Sequence, residues 1–399
     1  MDNLISYQNN LVEQVGHTWH RYLYPELDKD IRLLGLKGLR GVGKTTMLLQ
    51  YLKYEYPDRS KGLYVTADHP YFYEHTLFDL ASDWYMHGGK LLLIDEVHKY
   101  PNWSRELKLI YDGHPDMRTL FTSSSALDLY RGESDLSRRL VTRTLHGLSF
   151  REYLAFRHDI RFDPIKLNDV LHKHSQITPD LTRGHHMVPL FKQYLRDGYF
   201  PFAAGKGEDT FLPGLLNIIN TVLESDLSYT EDYSSAHITK IKKLLGVIAD
   251  SAPFEPNISK IAERLHLGRN TVNIYLKNLE DARILNLLNK PGRGITRLQK
   301  PEKIYFENAS FAFAFQSSPN IGTLREIFFM NQVQNAGHRI HLSPEKGDFL
   351  VDGELLFEVG GKNKDKSTLK KVENGYFALD DLDHGFANTI PLWLFGFLY

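Results

Sequence analysis

The first third of the chain alternates short apolar runs with amphipathic stretches. Ile31–Lys37 (IRLLGLK), Leu63–Thr66, Lys90–Ile94 (KLLLI) and Thr119–Thr122 each hold apolar residues in a short run, the pattern of strands buried in a parallel sheet. Thr46–Tyr54 follows the first run and predicts a helix, so the order is strand, helix, strand, as in an α/β fold. Further on the period changes. Leu212–Leu227 places Leu215, Ile218, Ile219, Val222 and Leu223 at helical spacing and predicts a core-packed helix. Phe162–Gln193 is polar and contains His172, His174, His185 and His186. With no H-E-x-x-H or cysteine beside them, these read as solvent-facing histidines of an insertion rather than metal ligands.

Between the first strand and its helix lies Gly38-Leu-Arg-Gly-Val-Gly-Lys-Thr-Thr46, a match to G-x-x-x-x-G-K-[ST] in the required context. The residue types follow from phosphate chemistry. Gly38, Gly41 and Gly43 let the backbone curl so that N–H groups, with those of Arg40, Val42 and Thr46, face phosphate oxygens. Lys44 supplies a charge for the β- and γ-phosphates, Thr45 a hydroxyl for Mg²⁺, and the helix N-terminus its dipole. The expected ligand is ATP with Mg²⁺.

The run Lys90–Ile94 ends in Asp95-Glu96. A carboxylate pair at the tip of a central strand opens onto the ligand crevice, so Asp95 is expected to hold Mg²⁺ and Glu96 to orient and deprotonate the attacking water. Ser123-Ser124-Ser125 ends the next strand. Ser124 can sense the γ-phosphate, or the serines can cap a helix over Ala126–Tyr130. Arg138 and Arg139 follow, readable as arginine fingers reaching a neighbouring subunit in a homo-oligomer, or as a surface ion-pairing couple.

The segments LLLIDEVHKYPNWSRELKLIYD, FTSSSALDLYRGESDLSRR and GLSFREYLAF, with Asp197–Phe202 (DGYFPF) and Ile304–Asn308 (IYFEN), resemble the AAA-type ATPases of bacteria and archaea. Those carry a C-terminal domain of unknown function related to restriction-endonuclease folds. The resemblance implies a parallel sheet with the phosphate-loop strand central, a helical lid, a winged helix-turn-helix and a nuclease-like tail. Its functional positions carry over at Lys44, Thr45, Asp95, Glu96, Ser124, Arg138 and Arg139, while Ser123 stands where relatives often have glycine. The domains expected are an ATPase over 1–156, a lid or insertion over 157–245, a winged helix over 246–308 and a nuclease-like domain over 309–399.

The winged-helix expectation also has its own residues. Ile258–Leu265 and Asn270–Glu280 are amphipathic stretches around Leu267-Gly268, where glycine is expected to take positive φ. The second would present Arg269, Asn270, Thr271, Asn273 and Lys277 outward to DNA, and Ile284–Lys300 would form a wing around Pro291–Gly294. Charge matters here because the 399-residue chain has 48 basic and 49 acidic residues, net −1. DNA binding therefore needs a local patch, and residues 257–303 carry ten basic against four acidic side chains. Such domains also serve as lids or protein docks.

The tail holds Glu326 on a helix over Thr323–Asn331, then Asp348, Glu358 and Lys362, whose order resembles the PD-(D/E)XK nuclease fold. Two features weigh against cleavage. Three residues separate Glu358 from Lys362, which keeps strand parity only if the strand runs through Gly360-Gly361. A two-residue turn at Asp352-Gly353 would pair 351 with 354 and 348 with 357, turning Asp348 from the face of Glu358.

Composition narrows the rest. With no cysteine, disulfides, thiol nucleophiles and Cys-ligated metals are excluded and a cytoplasmic protein is expected. No apolar run is long enough to span a bilayer, so no membrane partner is expected. The functional expectation is a Mg²⁺-dependent ATPase acting on or with DNA. The alternatives are a slow ATP-dependent switch or scaffold for a protein partner, or an ATP-gated endonuclease.

Overall fold

A computed structural model describes every residue except 17–18, 29, 124–135, 137, 228–232, 251–254, 293–300 and 370–371. Two compact units result, Met1–His146 and Gly147–Tyr399. The division precedes the expected 156/157 boundary and places the three later stretches in one unit.

In the first unit, β1 (Leu33–Lys37), β2 (Gly62–Thr66), β3 (Leu91–Asp95), β4 (Arg118–Thr122) and β5 (Val141–Thr144) form a parallel sheet in the order β2-β3-β4-β1-β5. The phosphate-loop strand β1 is thus one in from an edge, and β4 is central. Helices α1 (Asp2–Glu13), α2 (Lys44–Glu55), α3 (Leu77–Met86) and α4 (Trp103–Gly113) accompany the sheet. Leu33, Leu34, Leu36 and Leu91–Ile94 are buried, each such side chain worth about 1.5–3 kcal/mol of transfer free energy. Edge strand β2 is covered by α1. The buried Gln8 amide accepts from Tyr64 N at 2.6 Å and donates to Gly62 O at 3.5 Å, satisfying backbone groups a partner strand would otherwise take.

In the second unit, Ser149 and Glu152 form a capping box that opens the helix Phe150–His158. The expected polar insertion is largely helical, Leu167–Leu181 and Met187–Gln193. His174 departs from the solvent-facing expectation. It shares a helix face with Val170, Thr178 and Leu181, is buried, and its Nδ1 lies 3.1 Å from Val170 O. The Leu212–Leu227 stretch is an α-helix from Glu208 to Thr221 that widens into a π turn over Val222–Asp226.

Helices Ser235–Ala249, Ile258–Leu265 and Arg269–Asp281 precede an antiparallel pair, β6 (Leu285–Leu288) and β7 (Lys303–Phe306). The left-handed residue of the intervening turn is His266, φ 51°, not Gly268, φ −71°. The first helix ends two residues earlier than a Gly268 cap would need, and Leu267 N donates back to Ala262 O at 2.8 Å.

Helix Ile321–Asn335 packs on a mixed sheet of β8 (Ile340–Leu342), β9 (Phe349–Val351), β10 (Leu355–Gly361), β11 (Gly375–Asp380) and β12 (Thr389–Pro391). The order is β12-β11-β10-β9-β8; β8–β9–β10 is an antiparallel meander and β10, β11, β12 are parallel. Among the described residues no helix is long and apolar enough to cross a membrane.

Candidate active site

The loop from Gly38 to Gly43 joins β1 to α2. Gly38, Gly41 and Gly43 have φ of 155°, 84° and 98°, backbone that side-chain-bearing residues rarely adopt. At Gly38 a Cβ would also collide with the carbonyl oxygen of Leu145, just past β5. Arg21, buried ahead of β1, ties the loop to β5: its guanidinium donates to Val42 O and, at 2.7 Å, to His146 O. Lys44, the first residue of α2, is buried, its ammonium donating to Gly38 O at 2.7 Å and Leu39 O at 3.1 Å.

Strand order then sets the chemistry. Because β4 lies between β1 and β3, its tip falls between the phosphate loop and Asp95-Glu96. Three hydroxyls donate to the Asp95 carboxylate: Thr45 at 2.6 Å, Tyr64 at 3.0 Å, and Thr122. Burial, and then the Asp95 charge, push the Tyr64 hydroxyl far above its ordinary value, so it remains a donor. Thr122 Oγ1 also accepts the Glu96 N–H at 2.9 Å, holding that residue at φ 49°.

The Glu96 carboxylate is engaged by Arg40 of the phosphate loop, 3.3 Å away, and by Lys99, which also holds Asp68 at 2.5 Å. Burial works to raise the Glu96 pKa, but the Lys99 hydrogen bond and the Arg40 charge outweigh it and hold the carboxyl below its ordinary value. His98, also buried, is pushed down to about 4, chiefly by burial, with Lys44, Arg40 and Lys99 adding to it; it is neutral at pH 7. Its Nδ1 lies 3.4 Å from Ser123 Oγ at the β4 tip. Ser124, the expected γ-phosphate sensor, lies outside the described residues. Arg21, Tyr64, Lys99 and Thr122 were not singled out from sequence. Of these only Lys99, three residues beyond Glu96, left a legible signal.

The arginine pair separates. Arg139 makes a two-pronged ion pair with Asp112 at 2.8 and 2.9 Å and lies over the Tyr111 ring, whereas Arg138 is exposed with no ion pair among the described residues.

On the helix Arg269–Asp281, Arg269 and Asn270 are exposed and Thr271 and Asn273 half-buried. Lys277 is committed to Glu280 at 3.0 Å and Asp281 at 2.8 Å on its own helix. Arg283, Lys290 and Lys303 pair with Glu307, Glu302 and Glu326. Arg293, Arg297 and Lys300 lie outside the described residues. Within residues 257–303, the positive charge left exposed and without an ion pair among the described residues is that of Lys260, Arg264 and Arg269.

In the tail the hairpin register differs from expectation. Asp352 and Gly353 do turn at positive φ, but Val351 pairs with Leu355 and Phe349 with Phe357, leaving Glu354 as an extra residue. That one-residue offset moves Asp348 to the face of Glu358. Asp348 Oδ2 accepts from Val359 N at 2.8 Å. Strand β10 also continues through both glycines, yet Lys362 is exposed and it is Lys364 that reaches the carboxylates. Its stem covers Gly360, where a Cβ would lie 2.8 Å from Lys364 Cδ, and its ammonium is 2.8 Å from Glu358 and 3.9 Å from Asp348. Glu326 accepts from the Tyr305 hydroxyl at 2.5 Å. These groups satisfy one another, and among the described residues no cluster of three or more His, Asp or Glu is disposed to hold a metal ion.

A glycine-curled loop between a parallel strand and a helix, facing a hydroxyl-bonded aspartate, has the geometry of a phosphate-binding loop. Residues 30–154 match the family model of an AAA domain, and residues 188–319 match that of a domain of unknown function. An uncharacterized protein of Methanocaldococcus jannaschii is 26% identical over 381 residues, 88% of this chain and 80% of its own length. Among solved structures, the Walker-type ATPase PABY2304 of Pyrococcus abyssi superposes with TM-score 0.42 at 12% identity, over 75% of this chain and 96% of its own. AMPPCP-bound DnaA from Aquifex aeolicus gives TM-score 0.29 at 13% identity, over 70% and 88%.

Proposed function

We propose that this chain is a Mg²⁺-dependent ATPase of the AAA type that works on or with DNA. The observation that carries the ATPase reading is the contact of Thr45 with Asp95 at 2.6 Å, with Glu96 one residue beyond. Hard oxygen donors meeting beside a phosphate loop suit Mg²⁺, so Thr45 and Asp95 would hold it together with the β- and γ-phosphates. When bound, the ion neutralises charge developing on the phosphate oxygens. The chain supplies the rest. Loop amides and Lys44 hold the triphosphate, and Thr122 fixes the backbone at Glu96. Glu96 takes a proton from the water attacking the γ-phosphorus as the bond to the β-phosphate oxygen breaks and ADP leaves.

Arg40 gives this site a resting state. It stands on the phosphate loop, so a bound triphosphate competes with Glu96 for its guanidinium and frees the base. Lys99 remains to lower the basicity of Glu96. Lys99→Met is therefore expected to raise the Glu96 pKa toward its ordinary value. Because the carboxylate must be ionised to act, the acidic limb of the pH–rate profile should move to higher pH in the variant. An unmoved limb would remove Glu96 from that role.

For DNA, the reading rests on the helices Ile258–Leu265 and Arg269–Asp281 followed by the β6–β7 ribbon, an order that supports a winged-helix reading, with Arg269 and Asn270 exposed at the head of the second helix. ATP turnover is expected to rise about tenfold or more with one form among single-stranded, duplex and branched DNA, through ordering of the loops around the triphosphate. A flat rate with all three would favour a partner-controlled switch instead. In the DNA-bound reading Arg138 is assigned to a neighbouring subunit's γ-phosphate, and an ATP analogue should shift the chain to a larger species on size exclusion. ATP-gated cleavage is the weakest reading, since Lys364 and Tyr305 already occupy the tail's carboxylates; Glu358→Ala should leave no metal-dependent cleavage to lose.

A further inference from the structure

Residues 62–89 contain no lysine or arginine, four carboxylates and seven aromatic side chains. The stretch that follows β2 presents part of this set to solvent. His69 caps a short 3₁₀ turn, Pro70–Tyr73, by accepting from Tyr71 N at 3.1 Å. Phe72 packs on the core and meets Tyr100 edge-on with ring centres 5.6 Å apart, which pins the turn. Tyr73, next along, is 84% exposed, and Tyr71 and His75 stack with ring centres 4.3 Å apart. An exposed aromatic ring on an anchored turn is organised for contact at little cost in conformational entropy.

The surroundings are negative. Asp79 and Asp83, one helical turn apart on the solvent face of α3, bear on the same turn: after burial, their charges are the largest influences raising the Tyr71 hydroxyl. Neither these two nor Glu74 has an ion-pair partner among the described residues, and like charges at this spacing repel. Met86, 72% exposed, continues the same face of α3. Ring faces rimmed by unpaired carboxylates attract cations and repel phosphates.

We propose that Tyr71, Tyr73 and His75, rimmed by Glu74, Asp79 and Asp83, form a docking surface for a basic polypeptide segment of a partner protein. Arginine or lysine side chains would lie over the rings with their charges toward the carboxylates. The position gives the surface a route to the nucleotide site, because Asp68, immediately before this segment, shares Lys99 with Glu96. Nucleic acid is the poorer fit, since a phosphate backbone would meet the three unpaired carboxylates of Glu74, Asp79 and Asp83, and residues 62–89 supply no lysine or arginine to hold it.

The test is fluorescence anisotropy of a short labelled arginine-rich peptide with the full chain, beside a glutamate-substituted peptide and oligothymidylate. Tyr73→Ala is expected to weaken the arginine peptide by about three- to thirtyfold, the range from an exposed to a desolvated cation–π contact. Asp79→Asn with Asp83→Asn should also weaken it and flatten its salt dependence. All three side chains are exposed, so thermal melts should match the parent. Equal binding by parent and variants overturns the proposal. So does oligothymidylate binding that Tyr73→Ala abolishes, which would make this a nucleic-acid surface. A change confined to self-association would instead mark a contact between copies of this chain.

Discussion

Lys44→Ala is expected to cost ATP affinity by about a hundredfold or more, the scale for losing one well-placed charged donor from a water-poor phosphate site. Two features enlarge the effect. Lys44 is buried within the loop it serves, and it begins α2, where the helix dipole already favours phosphate. The fold should survive, because the bonds described for its ammonium, to Gly38 O and Leu39 O, are to carbonyls of the loop itself. Titration with a fluorescent ATP analogue checks this, with a thermal melt as control for folding. Tight binding by a folded variant would mean that triphosphate does not sit on this loop.

Glu96→Gln should leave nucleotide binding nearly intact and lower turnover by about 10²–10⁴, the usual contribution of a positioned general base. Glutamine keeps the length and an acceptor oxygen, and the backbone bond to Thr122 does not depend on the side chain. It cannot take a proton. It also loses the charge that Arg40 pairs with, so that guanidinium becomes available to the triphosphate while Lys99 stays on Asp68, and affinity should rise slightly if it changes at all. Single-turnover hydrolysis with the complex preformed separates the two effects. Normal turnover would return Glu96 to a purely ion-pairing role.

The features that sequence reading reached are those with local signatures. The glycine spacing at Gly38–Gly43 and the apolar run ending in Asp95-Glu96 each state their geometry within a few residues. The features it missed depend on neighbours distant in sequence. Thr122 reaches Asp95 only because β4 inserts between β1 and β3, and Tyr64 because β2 lies in register beside β3, with Thr66 opposite Asp95. Strand β5 is short and only half-buried along its length, so no apolar run announced it. Register was likewise out of reach at β9–β10. The turn chemistry at Asp352-Gly353 was legible, but the extra residue Glu354 was not, and that single residue decides which face Asp348 shares. Lys277 shows the limit of counting charge: a tally adds it to the basic surplus, whereas the fold brings Glu280 and Asp281 of the same helix to its ammonium.

Steady-state phosphate release from ATP by the purified chain, in Mg²⁺ and again in excess EDTA, tests the central claim most directly when Lys44→Ala and Glu96→Gln are run beside it. The account predicts release by the parent in Mg²⁺ only and near-background rates for both variants. Release that persists in EDTA, or that both variants retain, would contradict it.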